Sequence, residues 1–281
     1  MSRLFRYLKN IFVEDKVLFI TISYFILFFI FSFIMPQFMN ENLKSIDLYM
    51  ISSPPSNVHI LGTDELGRDI LYRLMIGGRV SFIIGFLVMI IQILIGVTLG
   101  VISGYYGGMA DILIVKLCEL IMSFPIFILI VSLSLVFNGG VISIILILSF
   151  VSFTSLTRII RGQVIRLKNM EFIVASKTLG ASDFHIIKNH IIPHIFYYIK
   201  IYSNRAFANA ILSESSLSFL GMGVVEPQTS LGSMIASAKN MNVIKYEWWT
   251  FVFPGMIIFI TVMMGIFIGN SKKFTQRNSY F

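Results

Sequence analysis

Three groups of residues in this 281-residue sequence have types and spacing that could do chemistry. In LGTDELGRD, Asp64 and Asp69 flank Arg68, so two carboxylates stand five positions apart beside a cation. Such a pair could exchange protons as general acid and base. No nucleophile or metal ligand accompanies it, so the residues read instead as tying a loop into a fixed shape. Arg–Asp pairs and an Asx turn at Asp64 would do this, and docking of an external protein on the same surface is the functional alternative. His190 and His194 stand at i,i+4, a spacing that can hold a metal on one helix face, but Pro193 interrupts the pair. His59 and His185 belong to no ligand set. The single Cys118 lies in an apolar run, which leaves neither a disulfide nor a CxxC site and reads as an inert helix residue. No HExxH, nucleophile elbow or phosphate-binding GxxxxGK[ST] occurs, and no Gly-Lys pair exists anywhere in the chain. The expectation is a chain with no catalytic residue, no metal, no cofactor of its own and no nucleic-acid partner.

The elements that carry these groups are dictated by composition. The chain is 56% hydrophobic and 13% charged, with a mean hydropathy of +0.84; a soluble domain would carry roughly 25% charged residues. Long apolar runs recur without strand-like alternation, so the fold class is all-α, a polytopic membrane protein. A membrane of ~30 Å needs roughly 20 helical residues per crossing. Six spans follow: Val17–Met35, closed by Pro36; Val80–Ser103; Ile112–Phe137, kinked at Pro125; Val141–Thr157; Ile195–Leu212; and Trp248–Gly269. GYYGGMAD and Asn138-Gly139-Gly140 are tight turns. Residues 1–16 and 271–281 are tails, 36–79 and 213–247 are loops on one side, and 158–194 is a loop on the other, within a permeation unit of 80–270. No signal-peptide cleavage pattern follows the first apolar run, which reads as retained.

Lys and Arg set the orientation. Fourteen lie before span one, between 158 and 200, or after span six; six lie on the opposite side, at Lys44, Arg68, Arg73, Arg79, Lys239 and Lys245. Both termini and the 158–194 loop are therefore expected in the cytoplasm. Trp248 and Trp249 then fall at the outer interface, where amphipathic rings settle.

Residues 169–194, NMEFIVASKTLGASDFHIIKNHIIPH, cannot sit in lipid. Asn169 is a possible cap for a first short helix, Gly180 supplies the left-handed residue that ends it, and Ser182 with Asp183 opens a second. Phe172, Ala175, Ser176 and Leu179 share one small-to-apolar face, with Glu171, Lys177 and Thr178 elsewhere. So short a helix has little to bury by itself. It fits either a groove on a partner protein or anionic lipid, helped by Arg158, Arg161, Arg166 and Lys168. The residues alone leave both open.

EFIVASKTLGASDFHIIKNHIIPH resembles the cytoplasmic coupling loop, the EAA motif, of importer-type ABC permeases, with Ala175, Ser176, Gly180 and Pro193 in register. Val174 stands where the motif has Glu, and Ser176 replaces its second Ala. LGTDELGRDILYRLMIGGRVSF resembles the outer segment after span one of dipeptide, oligopeptide and nickel permeases, through Gly62, Thr63, Asp64, Gly67, Arg68, Asp69, Arg73, Gly77 and Arg79. ESSLSFLGMGVVEPQTSLGSMI and WWTFVFPGMII are similar to that family's fifth-span loop and last span. The family's GDxLRD-like ending is replaced by MGIFIGNSKKFTQRNSYF. The resemblance implies a type I ABC importer permease fold and a non-catalytic subunit. It further implies pairing with a second permease, with two ATPase subunits that bind ATP and Mg, and with an extracytoplasmic substrate-binding protein. Glu171, Phe172, Ala175, Ser176, Leu179, Gly180 and Pro193 would couple to the ATPase. The implied cargo is a di- or oligopeptide, or else nickel or a metal chelate. A stand-alone secondary transporter is the rival class; it would need paired ionisable groups near mid-membrane.

Two further features carry open readings. Gly96, Gly100, Gly104 and Gly108 form a small-residue stripe for close helix packing, either within this chain or against a second permease. Asn204, Arg205 and Asn209 are costly in lipid and should face the bundle interior or a wet cavity, lining the peptide path or bonding between helices. Glu214, one turn beyond Asn209, could pair with Arg205.

Overall fold

The computed structural model describes residues 16–269 apart from Asn138. The two tails expected to face the cytoplasm lie outside these residues, save Lys16. Among the described residues the chain is helical, with one isolated bridge between Thr63 and Asp69 and no strand.

Helix α1 (Lys16–Phe29) runs on through a π turn (Ile30–Ile34) and a 3-10 turn (Met35–Phe38). Proline explains this ending. Pro36 has no N–H and its ring clashes with the carbonyl four residues back, that of Ser32. The freed carbonyls are collected by Arg79, whose Nε donates to Ser32 O at 3.0 Å and whose Nη2 donates to Phe33 O at 3.4 Å. A short helix, α2 (Glu41–Lys44), leads into an outer loop, and α3 (Ile70–Tyr106) then runs for 37 residues. This helix begins ten residues earlier than expected. Asp69 caps it, its carboxylate accepting from Tyr72 N at 2.8 Å. Arg73 and Arg79 made the first turns look like loop, yet both spend their charge inside the protein.

The expected third span is two helices, α4 (Gly108–Met122) and α5 (Ile126–Val136), bent by 87°. Pro125 is extended at the start of α5, with ψ 121°, so the chain turns a corner where a kink was expected. Helix α6 (Val141–Lys168) crosses next, followed by α7 (Glu171–Thr178) and α8 (Asp183–Ile186). A π turn (Ile187–Ile191) runs directly into α9 (Ile192–Leu220). Helices α10 (Leu231–Ile235), α11 (Met241–Tyr246) and α12 (Trp249–Gly269) complete the chain. Four helices (α1 with its extension, α3, α6, α12) are long and apolar enough to cross a membrane, and a fifth crossing is made if the bent pair counts as one. The expected fifth span lies within α9. At 29 residues it is long enough, but its polar side sets it apart from the others.

Helices α3 and α6 are parallel and in close contact. A Cβ on Gly96 would lie 2.9 Å from Leu156 Cβ, one on Gly100 2.7 Å from Ile160 Cβ, and one on Gly104 2.8 Å from Val164 Cβ. The glycine stripe is thus packing within this chain over those three positions. Gly108 lies past the end of α3 as the first residue of α4, with φ +57° and open space around it. In lipid, helices gain nothing from hydrophobic exclusion, and only such close approach holds them. Leu156, Ile160 and Val164 have no exposed surface.

Gly100→Val is expected to overpack this seam and destabilise the protein by about 1–3 kcal/mol, whereas Gly162→Ala, whose Cβ meets nothing within 4 Å, should be neutral or slightly stabilising. Thermal unfolding of both variants in detergent checks this; equal midpoints would remove the seam from the fold's support.

Candidate functional site

The two ends of α3 carry different kinds of site. At its start the LGTDELGRD residues close into a rigid cap. Asp64 Oδ1 accepts from Leu66 N and Arg68 N, each at 2.9 Å, the expected Asx turn. Asp64 Oδ2 accepts from Arg68 Nε at 2.7 Å and from Arg73 Nη1. Burial alone would raise the Asp64 carboxyl above its usual range, but the charges of Arg73 and Arg68 and the backbone bond outweigh it and hold the group lower. Asp69 divides its carboxylate between the α3 cap and His59 Nδ1, at 2.9 Å. Gly62 and Gly67 have φ of +79° and +73°, and a Cβ on Gly67 would collide with Asp47 O. Thr63 donates to Met50 O, accepts from Ser53 N, and through its carbonyl receives Trp249 Nε1 at 3.1 Å. All six cap residues singled out by the sequence therefore meet.

Glu226 completes the set and was missed: its carboxylate accepts from Arg68 Nη1 at 2.8 Å and lies 3.9 Å from Arg73 Nη2. No local signal pointed to it, since Asp64, Glu65 and Asp69 already outnumber Arg68 and Arg73 in the sequence.

At the other end, α7 is held by one residue. Ile173 is its only buried side chain, packed with Val101, Tyr105, Ile160 and Val164. Glu171, Phe172, Ala175, Leu179 and Gly180 are all exposed and Ser176 is half-buried; Leu179 is 89% exposed. Gly180 has φ +87°, and Ser182 caps α8, accepting from His185 N at 3.3 Å. Asn169 does not cap α7; it terminates α6 with φ −92°, and the extended residue before α7 is Met170. The hairpin is braced from below: Tyr105 Oη donates to Asp183 at 2.6 Å and Lys168 Nζ to Tyr105 O at 2.5 Å. Arg161 grips Asp111 with two bonds of 2.6 and 2.7 Å. Tyr105 was not singled out from sequence, where YY preceding a Gly pair looked like a plain turn, and Lys168 was read only as a basic residue beside anionic lipid.

Pro193 sits in the first turn of α9, immediately after the π turn. Its ring excludes an ordinary bond to the carbonyl of Asn189, and the wider π turn absorbs the misfit. His194 Nδ1 lies 2.6 Å from His190 O, and its ring stacks on Phe172 at 5.4 Å. That nitrogen is engaged by backbone, as a structural role for the pair requires.

Helix α9 presents two faces. Phe207, Ala208 and Ile211 pack into the core. Arg205 and Asn209 are exposed and Asn204 is half-buried, so these polar groups point out of this chain's own bundle, where the interior was one expected place for them. The expected pairing of Glu214 with Arg205 does not occur. Glu214 is fully buried, accepting from Ser81 Oγ at 3.0 Å and Ser218 Oγ at 2.7 Å. Ser81 Oγ in turn accepts from Leu231 N, so the carboxylate ties α9, α3 and α10 together.

Residues 96–271 match the family described as binding-protein-dependent transport system inner membrane component. The chain is 34% identical over 247 residues to the oligopeptide transport system permease protein OppC of Haemophilus influenzae, covering 87% of this chain and 78% of that protein. It is 35% identical over 265 residues to OppC of Lactococcus lactis, covering 92% and 90%. It is also 35% identical over 209 residues to the dipeptide transport system permease protein DppC of Bacillus subtilis, covering 74% and 65%. The chain belongs to the family of binding-protein-dependent permeases, the membrane components of ABC importers.

The lowered Asp64 carboxyl gives a pH prediction. A group depressed in the folded state adds stability that is present above its unfolded value of about 4 and lost as pH falls through the folded value. Asp64→Asn should cost about 3 kcal/mol at neutral pH, by leaving Arg73 buried with its main partner removed. The gap to the parent should close below about pH 4. Melting midpoints of both proteins between neutral and acid pH test it; a constant gap would deny Asp64 its ionised role.

Proposed function

We propose that this chain is one of two permease subunits forming the membrane pathway of an ATP-driven importer of di- or oligopeptides. The observation that carries the reading is the bare face of α7. Ala175 and Leu179, with the outer side of Phe172, are displayed outward on a helix whose single buried side chain is Ile173. A helix so presented is complementary to an apolar groove on a partner, the helix-in-groove mode. In this reading the partners are two ATPase subunits that carry ATP and Mg. The chain contributes no covalent chemistry.

Nucleotide-driven closure of the ATPases would move α7 as a rigid body. Tyr105–Asp183 and the Ile173 cluster pass that motion to the ends of α3 and α6, and the π turn before Pro193 passes it to α9. Alternating access is then a repacking between two states whose balance the nucleotide sets. The outward Arg205, Asn209 and Asn204 support a pathway lying between this chain and a second permease, because polar groups on a spanning helix need a wet or protein-lined neighbour. The cap at the other end would receive a substrate-binding protein outside the cell, with both termini in the cytoplasm as the distribution of Lys and Arg favours. Peptide cargo rests on the names of the relatives, oligopeptide and dipeptide permeases.

Two variants test this. Leu179→Glu alters an exposed residue and should leave insertion intact, yet cost about 2 kcal/mol or more of docking energy, a roughly thirtyfold loss of ATPase retention. It is read by pull-down from solubilised membranes with ATPase assay of the eluate. Gly180→Val forces a β-branched residue into left-handed backbone, at about 1–3 kcal/mol. It should keep the assembly but lower peptide uptake per ATP hydrolysed. Unchanged ATPase retention in the first variant would overturn the docking reading.

A further inference from the structure

The outer loop has two kinds of surface, and only one has a role so far. Around the cap, Glu65, Arg68 and Glu226 are charged and at least partly open to water. The preceding strap, residues 45–60, is different. Asp47 is its only formally charged side chain, and that carboxylate, half-buried, accepts from Tyr49 N at 2.9 Å and lies 3.9 Å from the buried His59 Nε2. Its large outward side chains are apolar: Tyr49 is 99% exposed, Leu48 72% and Val58 61%, with Ile46, Ile51 and Ile60 also exposed, beside the small polar Ser45, Ser56 and Asn57. Ile46, Leu48, Tyr49 and Val58 border one cavity of about 430 Å³ above His59, so they form one contiguous patch. None of the residues bordering it borders the charged cavity of the cap.

Where this patch sits is fixed by backbone bonds. Asp47 N donates to Gly67 O, and Thr63 N to Ser53 O. Ile70 N, at the start of α3, donates to Gly62 O. Trp249, at the start of α12, donates its indole N–H to Thr63 O, beside the exposed Trp248. The strap is therefore tied through the cap to the starts of two membrane-crossing helices and to Trp249, next to the exposed Trp248, and amphipathic rings of this kind settle at the boundary between lipid and water. It also continues the outward apolar surface at the end of α1, where Ile34, Met35 and Phe38 are exposed.

We propose that the strap is a membrane-interface anchor whose patch around Leu48, Tyr49 and Val58 lies in the headgroup–acyl boundary of the leaflet at this end of the bundle. Large apolar groups turned out beside small polar ones, with a single half-buried charge, match a segment lying in the interface, buried by about 5–10 Å. The lipid would brace the cap laterally and leave its charged surface to water. The proposal goes beyond the transport reading and holds whatever the cargo.

The test is a single cysteine at Tyr49, in a Cys118→Ala background of the full assembly in lipid nanodiscs, labelled with an environment-sensitive fluorophore. Tyr49 contributes nothing to packing, so the variant leaves the core untouched. Glu65→Cys serves as the aqueous control and Phe259→Cys, on the exposed face of α12, as the bilayer control. The label at 49 should be quenched by lipids bearing a nitroxide near the headgroup and be about fivefold less accessible to iodide than the label at 65, as for an interfacial segment. Iodide access equal to that at 65 would overturn the anchor. So would shielding that appears only when a soluble binding protein is added, which would make the patch a protein-docking surface. A label at 259 that lipid nitroxide fails to quench would instead overturn α12 as a span, a separate failure.

Discussion

Everything in this fold hangs on one close contact, the seam between α3 and α6. In water two apolar helices are driven together by the solvent they exclude. In lipid that drive is absent, and only dense atomic contact distinguishes a neighbouring helix from an acyl chain. The glycines at 96, 100 and 104 let Leu156, Ile160 and Val164 come within van der Waals range of the α3 backbone. Because the two helices are parallel, the seam aligns their ends. Its last turns sit directly under Tyr105, Lys168 and the α7 hairpin, and its partner α3 reaches back to Asp69 and the cap. A helix of 37 residues spans about 55 Å at 1.5 Å per residue, so a single rigid element joins the two ends.

The two ends use polar groups in opposite ways. At the cap nearly every donor finds an acceptor inside the chain, and Asp64 alone serves two guanidiniums and two backbone amides. Such a network resists deformation. At the hairpin the polar bonds lie underneath, between Tyr105, Asp183 and Lys168, and the upper face is left apolar and bare. The free energy absent there is what a partner would supply.

Local chemistry was legible in the sequence wherever it depends on neighbours in the chain. Gly180 in left-handed backbone, Ser182 as a cap, the Asx turn at Asp64 and the glycine turns after Tyr106 and Asn138 all follow from residue type and spacing. The cap as a cluster was legible for the same reason, since Asp64 and Arg68 are one helical turn apart. What sequence could not give were choices made by distant partners. Asn169 can cap, but α6 runs through it. Glu214 could have met Arg205 on its own helix, but Ser81 and Ser218 offered a buried cradle, and the helix rotation that buries Phe207 and Ile211 points Arg205 away. The start of α3 was obscured because Arg73 and Arg79 look like loop residues until Asp64, Glu226 and the carbonyls of α1 are seen to receive them. Pro125 announced a disturbance, while its size was decided by the packing of α4 and α5 on α6.

The prolines show how the bundle keeps its backbone satisfied and still leaves room to move. In lipid an orphaned carbonyl costs several kcal/mol, so each proline in a spanning helix must be answered. Pro36 is answered from outside its helix, by the Arg79 guanidinium, which fixes the end of α1 to α3. Pro193 is answered within its own segment, by a π turn that widens one loop of helix without breaking it. The first solution locks two helices together. The second leaves a continuous helical rod from Asp183 to Leu220 with one turn of loosened bonding, between the hairpin and the polar face of α9. If the hairpin is displaced as proposed, this turn is where the rod would give, and the displacement would reach α9 as a change of rotation or register. Arg205 and Asn209 lie on the part of that rod such a rotation would turn.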